Sequence, residues 1–261
     1  MMTSLYLSGA ILASLSSAAI HVSFRDPSSG RSDGSDEANK KARRDVKAEP
    51  KDRIAEHHSR KFAFFTLLGW VKFVNFKVTP FSAAAQAVYL FKLHIDKQSD
   101  VLPKSAPSEQ LVRINMLLYT SIILGGLLRY WCYKTLDKYF TFRLDIKSDQ
   151  KLIKNGPYKY LAHPSYFGIF LCNVGVIGSL AGPFNVLLSL LSKGASESLS
   201  GASPHSVVRS LLTLQALAGI WSAYALVLLR VPDEENMLRK HFGKEYDEYL
   251  AKRWRMLPFI W

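Results

Sequence analysis

Hydrophobic residues along this 261-residue chain are gathered into long runs rather than spread evenly. Residues 4 to 24 contain no Lys, Arg, Asp or Glu, and residues 160 to 192 form a second stretch without one. About 20 apolar residues in a helix are enough to cross the hydrocarbon core of a bilayer. Shorter charge-free runs lie at 81 to 91, between Arg113 and Arg129, and between Arg209 and Arg230. The pattern predicts membrane-spanning helices over 4–24, 79–95, 111–131, 165–191 and 210–229, five in all, with six as the alternative. The segment 62 to 76 is aromatic-rich but broken by Lys72, which suits a helix lying in the membrane interface. Near the end, Leu238, Phe242, Tyr246 and Tyr249 recur at spacings of four, four and three, which predicts an amphipathic helix. Pro232 fits its first turn, and Asp233, Glu234 and Glu235 sit favourably at its positive dipole end.

The expected fold is therefore all-α, a polytopic transmembrane helix bundle of about five spans with a cytosolic helical cap at the C-terminal end. Four parts follow: a first span over 1–24, a polar linker over 25–61, an interfacial helix and second span over 62–110, and a core over 111–261. A mean hydropathy of +0.02 hides this segregation. No Lys or Arg precedes the first run, so it lacks the basic start of a signal peptide and is expected to be retained.

Charge gives the orientation. With five spans, residues 25–78, 132–164 and 230–261 share one side and hold 27 Lys/Arg, whereas the opposite loops hold 3. Basic loops stay on the cytosolic side, so the C-terminal segment is expected there. The net charge of +13 thus belongs to membrane-flanking loops and does not suggest a nucleic-acid partner. Residues 25–61 mix 11 Lys/Arg with 8 Asp/Glu among Ser and Asp, the composition of a flexible linker. Residues 192–206 read as a Ser/Gly loop. Two cysteines, Cys132 and Cys172, exclude a disulfide framework and a four-cysteine zinc site, and no metal is implied.

No glycine-rich nucleotide-binding string is present. Chemistry concentrates in two polar patches beside the last long spans. In residues 150–168, an Asn155-Gly156-Pro157 turn precedes Tyr158, Tyr160, His163 and Tyr166, and Pro164 pushes His163 out of helix. Such a patch is either an interfacial tyrosine belt or the mouth of an aromatic pocket for a cationic or amphipathic ligand. The second patch, residues 230–250, begins with Arg230 at the end of the last span, followed by the three acids.

Together the patches are more specific. GPYKYLAHPSYFG, then R-x-x-x-E-E about 60 residues later, FG-x-EY-x-x-Y and a terminal LPF strongly resemble the isoprenylcysteine carboxyl methyltransferase family, over about residues 111 to 261. The resemblance implies a multi-pass endoplasmic-reticulum enzyme with its active site facing the cytosol. It implies methyl transfer from S-adenosylmethionine to the C-terminal carboxylate of a prenylated cysteine, in proteins that originally ended in CaaX. By position it implies cofactor contacts at Gln150, Lys151, Leu152, Ile153, Tyr158, His163, Pro164, Ser165, Tyr166 and Glu234, and a substrate contact at Arg230. Two positions depart from the family pattern: Arg143 stands where relatives often have Gln, and Ala162 where they commonly have Arg.

The chemistry suits these residues. A peptide α-carboxyl, with a pKa of about 3.3–3.7, is already an anionic nucleophile at neutral pH, so no general base is required. Arginine is the apt carboxylate clamp because its planar fork binds two oxygens. Aromatic faces suit a sulfonium charge. A 15-carbon farnesyl chain buried in lipid is worth at most roughly 12 kcal/mol, so a site that takes it sideways from the bilayer avoids extracting it into water. Competing readings are a phospholipid N-methyltransferase, which needs no carboxylate clamp, and a membrane sterol or steroid reductase, which would bind NADPH.

Overall fold

The computed structural model describes residues 2–24, 79–98, 108–140, 149–181 and 230–257, together with Ile146 and Leu217. Six α-helices carry these residues: α1 (Met2–Phe24), α2 (Thr79–Gln98), α3 (Glu109–Leu136), α4 (Pro164–Ala181), α5 (Val231–Phe242) and α6 (Lys244–Ala251). Short 3-10 turns occupy Asp137–Tyr139 and Gly156–Lys159. The expected helices over 4–24, 79–95 and 111–131 are present as α1, α2 and α3. The run at 165–191 begins as α4. The segments 62–76 and 210–229, apart from Leu217, lie outside the described residues, as do residues 25–61 and 192–206.

Two of the described helices are long and apolar enough to cross a membrane, over Ser4–His21 and Glu109–Tyr139. The helix Pro164–Ser179 is apolar but shorter. α1 packs along both α2 and α3, and α3 packs along α4. Their shared core joins Tyr6, Ala10, Ala13 and Ile20 of α1 to Leu90 and Leu93 of α2, Val112, Tyr119 and Ile122 of α3, and Val176 of α4. Outside, Leu15, Val88, Leu117, Leu124 and Leu127 are left exposed, the arrangement expected of helices whose solvent is hydrocarbon.

In such a solvent apolar burial drives little, and small residues that let backbones approach carry the packing. A Cβ added at Gly125 would lie 2.6 Å from the Gly168 carbonyl, and one at Gly126 would lie 2.8 Å from the Ala19 Cβ. The pair Gly125-Gly126 thus seats α4 and α1 on adjacent faces of α3. Polar contacts reinforce this. The Tyr119 hydroxyl donates to the Gln86 side-chain oxygen, both buried, and the Ser121 hydroxyl donates to the Leu171 carbonyl at 2.8 Å.

At the other end of the molecule the apolar spacing predicted one amphipathic helix, and the structure has two. Gly243, at φ +56°, ends α5 and starts α6, a backbone angle that glycine adopts without a Cβ penalty. The periodic residues still share a face: Leu238, Phe242, Tyr246 and Tyr249 all pack in one cluster with Ala162 and Leu152. Beyond α6, the chain runs back beside the segment preceding α4. Leu161 and Trp254 form a parallel bridge, with Ala162 N–H donating to Trp254 O and His163 N–H to Arg255 O, each at 2.8 Å.

Candidate functional site

The two polar patches meet at the start of α4. Pro164 opens that helix, and its ring is fully buried. His163, just outside the helix, and Tyr166, inside its first turn, both reach the first turn of α5. His163 Nδ1 lies 3.6 Å from Glu234 Oε1, and its Nε2 lies 3.4 Å from Glu235 Oε1. The Tyr166 hydroxyl donates to Glu234 Oε2 and accepts from Arg230 Nε at 3.0 Å. The rings of His163 and Tyr166 stack with centroids 5.7 Å apart. One hydroxyl therefore links Arg230 to Glu234.

Glu235 is the hub on the far side. Its Oε1 accepts from Arg255 Nε at 2.9 Å and its Oε2 from Arg239 Nη2 at 3.2 Å. Arg239 also reaches Asp247 of α6 at 3.0 Å. The result is an alternation of charge, from Arg230 through Glu234, His163 and Glu235 to Arg255 and Arg239. Burial opposes protonation of His163, but the hydrogen bonds and charges of Glu234 and Glu235 outweigh it and push its pKa up to about 9. Burial alone would raise both carboxyls; the His163 cation overcomes this and holds each below its ordinary value. At neutral pH the centre is thus an imidazolium between two carboxylates. Glu235 is almost fully buried, whereas the Glu234 side chain keeps 27% of its surface exposed.

A third group of contacts secures the approach to this centre. Gly156, at φ +56°, turns the chain where an added Cβ would lie 2.8 Å from Thr135 Oγ1. Tyr158 is buried, and burial pushes its hydroxyl well above the usual tyrosine range. Its carbonyl accepts from the Tyr249 hydroxyl at 3.1 Å and from Arg253 Nε at 2.9 Å. Arg253 lies over the Tyr249 ring at 4.1 Å. These bonds tie α6 and the following segment to the Gly156 turn.

Of the residues singled out in the sequence, His163, Tyr166, Glu234 and Arg230 are brought into one connected set. Leu152 packs on the Ala162–Tyr246–Tyr249 cluster, which draws residues 150–153 alongside. There Gln150 Oε1 is buried without a hydrogen-bond partner, while Lys151 is exposed and Ile153 partly buried. Ser165 points elsewhere: its hydroxyl and carbonyl both accept from Arg129 Nη1 of α3. Sequence reasoning missed Glu235, Arg239, Arg255 and Arg129. The acids at 233–235 are explained by helix polarity alone, and Arg129 reads as the charged end of an apolar run. The usable signal was spacing. Glu235 and Arg239 lie four apart on one helix, the separation at which opposite charges pair.

Comparison with known proteins bears on the same region. Residues 116–193 match the isoprenylcysteine carboxyl methyltransferase (ICMT) family, a stretch that includes most of α3, the His163–Tyr166 turn and α4; Arg230 and Glu234 lie beyond it. The chain is 28% identical over 141 residues to a probable protein-S-isoprenylcysteine O-methyltransferase of Oryza sativa subsp. indica, covering 53% of this chain and 58% of that protein. It is 28% identical over 143 residues to protein-S-isoprenylcysteine O-methyltransferase B of Arabidopsis thaliana, covering 54% and 57%. Against the protein-S-isoprenylcysteine O-methyltransferase of Dictyostelium discoideum the identity is 26% over 141 residues, covering 53% and 47%. The matched region spans about half the length of these curated relatives. The similarity is to the family that the sequence motifs resemble.

Proposed function

We propose that this protein is a membrane methyltransferase that esterifies the C-terminal carboxylate of a prenylated cysteine, in proteins processed from a CaaX end, with S-adenosylmethionine as methyl donor. The observation that carries the reading is the Tyr166 hydroxyl joining Arg230 to Glu234. These are the two residues that the family resemblance assigns to opposite reactants. In this reading the remaining spans complete a bundle of about five in the endoplasmic-reticulum membrane, with α5 and α6 as a cytosolic cap.

The residues fit such a donor. Glu234, whose side chain is partly exposed, offers the remaining lone pairs of its carboxylate to hydroxyl or amino hydrogens, and Gln150 has a buried acceptor oxygen free for one more. The partly exposed Tyr166 ring supplies aromatic surface beside them, where a cationic sulfonium is favoured. S-adenosylmethionine, when bound, supplies an electrophilic methyl group. Arg230 does the work on the other reactant. Its guanidinium orients a carboxylate that is already ionised, and Tyr166 shares its Nε proton, which keeps the arginine from quenching the nucleophile fully. No proton has to be removed by the protein, so the charged centre acts by orientation and electrostatics.

The test is methylation of N-acetyl-S-farnesylcysteine by membranes that carry the protein, with labelled S-adenosylmethionine. Base-labile labelled ester is the expected product. A base-stable methylamine on phosphatidylethanolamine, with no ester, would overturn the assignment in favour of a phospholipid N-methyltransferase.

A further inference from the structure

We infer that Arg129 is the positioning residue of the His163–Tyr166 turn, a cation buried in α3 whose guanidinium grips Ser165 and thereby sets the side chains on either side of it. Arg129 is 2% exposed, within a helix long and apolar enough to cross a membrane. A guanidinium in such a place is costly unless its donors are taken up. They are taken up in a particular way. Nη1 donates to the Ser165 hydroxyl at 2.9 Å and to the Ser165 carbonyl at 3.2 Å, and Nη2 donates to the Tyr133 hydroxyl one turn later on α3.

Two points of attachment on one residue fix more than position. A single bond to the hydroxyl would leave the first turn of α4 free to rotate, whereas bonds to hydroxyl and backbone together hold its rotation as well. Ser165 lies between His163 and Tyr166, the two residues that reach Glu234. Space has been kept for this grip: a Cβ at Gly168 would come within 2.7 Å of Arg129 Cγ. The Tyr133 ring lies 5.2 Å from the guanidinium carbon. On this account Ser165 is occupied by Arg129 and acts through it, although the family resemblance places Ser165 at the methyl donor. Only the choice of ligand in the test rests on the function proposed above; the grip itself does not.

The experiment uses the full chain in detergent micelles, as Arg129→Gln, Arg129→Lys, Ser165→Ala and the double variant Arg129→Gln/Ser165→Ala. Two quantities are read: the titration of His163 by its imidazole proton resonance, and the affinity for S-adenosylhomocysteine by calorimetry. Arg129→Gln and Ser165→Ala should each weaken binding about tenfold, the typical scale for a charge-assisted hydrogen bond, and the double variant should lose no more than the worse single one. Arg129→Lys should fall between, because an ammonium keeps the charge but its single nitrogen cannot hold Ser165 and Tyr133 together as the two ends of the fork do. In Arg129→Gln the His163 midpoint should drop from about 9 toward its ordinary value, as Glu234 and Glu235 no longer face the ring squarely. Losses that add in the double variant would assign Ser165 to the ligand directly and overturn the inference. So would an unmoved His163 titration in a folded Arg129 variant. If Arg129→Gln does not fold, Arg129→Lys and Ser165→Ala carry the same decision. A parent protein that binds no S-adenosylhomocysteine, while the Arg129 variants still shift His163, overturns the proposed function and keeps the positioning role.

Discussion

The helix bundle and the charged centre are held together by opposite means. Between α1, α3 and α4 the contacts are made by what is absent: Gly125 and Gly126 leave no side chain, and neighbouring backbones close to within van der Waals distance. Between α4 and α5 the contacts are made by what is present, an imidazolium, two carboxylates and three guanidinium groups in alternating order. The first arrangement tolerates no added volume and has little stake in pH. The second has no room for changes of charge. Substitutions in the bundle should therefore cost folded protein, and substitutions in the centre should cost particular functions of protein that still folds.

The sharpest way to break that division is Arg230→Ala. Removing a charge-assisted contact to an ionic partner typically costs about 2–5 kcal/mol, so turnover with a prenylcysteine should fall by at least about thirtyfold while S-adenosylhomocysteine still binds. Lysine should rescue only in part. Glu234→Ala should do the reverse and weaken S-adenosylhomocysteine binding directly. If Arg230→Ala binds the cofactor analogue poorly and Glu234→Ala binds it normally, the two roles are wrongly assigned. A smaller effect, on the other region, is expected of Gly125→Val. Its added atoms meet the Gly168 carbonyl and Cys172, and overpacking of this kind costs about 1–3 kcal/mol. Thermal melting in detergent should show it, with the residual folded fraction binding cofactor normally. Altered binding without lost stability would show that the regions are not separate.

Acidity sharpens the comparison further. His163, raised to about 9 in the folded protein, contributes stability that is complete below its ordinary value of 6.5 and is lost as the pH rises through 9. Glu234 and Glu235, lowered from 4.5, contribute stability that is complete above that value and is lost as the pH falls through their folded values. Melting temperature should therefore be flat between about pH 5 and 6.5 and decline on both sides, on the alkaline side up to about 9. His163→Gln should flatten the alkaline decline, and Gly125→Val should leave the shape of the curve unchanged. The smallest effect is expected from the linker. Deleting about half of residues 28–58, whose composition is too polar to join a packed core, should keep methyl transfer within a few-fold of the parent in an isotopic assay.

The bundle was the more legible of the two regions, because hydropathy and length act over whole segments. The charge-free run at 4–24 and the run between Arg113 and Arg129 each became a single helix. The centre was legible only in pieces. His163, Tyr166, Glu234 and Arg230 stood out through motif spacing, yet nothing local says that Glu235 receives Arg255 from 20 residues away, because that meeting depends on the chain doubling back after α6. The break at Gly243 escaped a periodicity that continues unbroken across it. Arg129 escaped for a related reason. An arginine closing an apolar run marks the membrane surface in sequence, and only the neighbouring helix reveals that it is enclosed.

The parallel pairing of Leu161 with Trp254 also has a consequence for how the protein is made. His163 leaves the ribosome 72 residues before Glu235, an interval of roughly 4–14 s at 5–20 residues per second, and the segment that pins it emerges later still. Throughout that time α3 and α4 can already be packed, while an imidazole destined for two carboxylates waits without either. The helices are thus complete well before the charged centre is, and loss of the last segment to translation errors or proteolysis would leave molecules with packed helices and an unassembled centre.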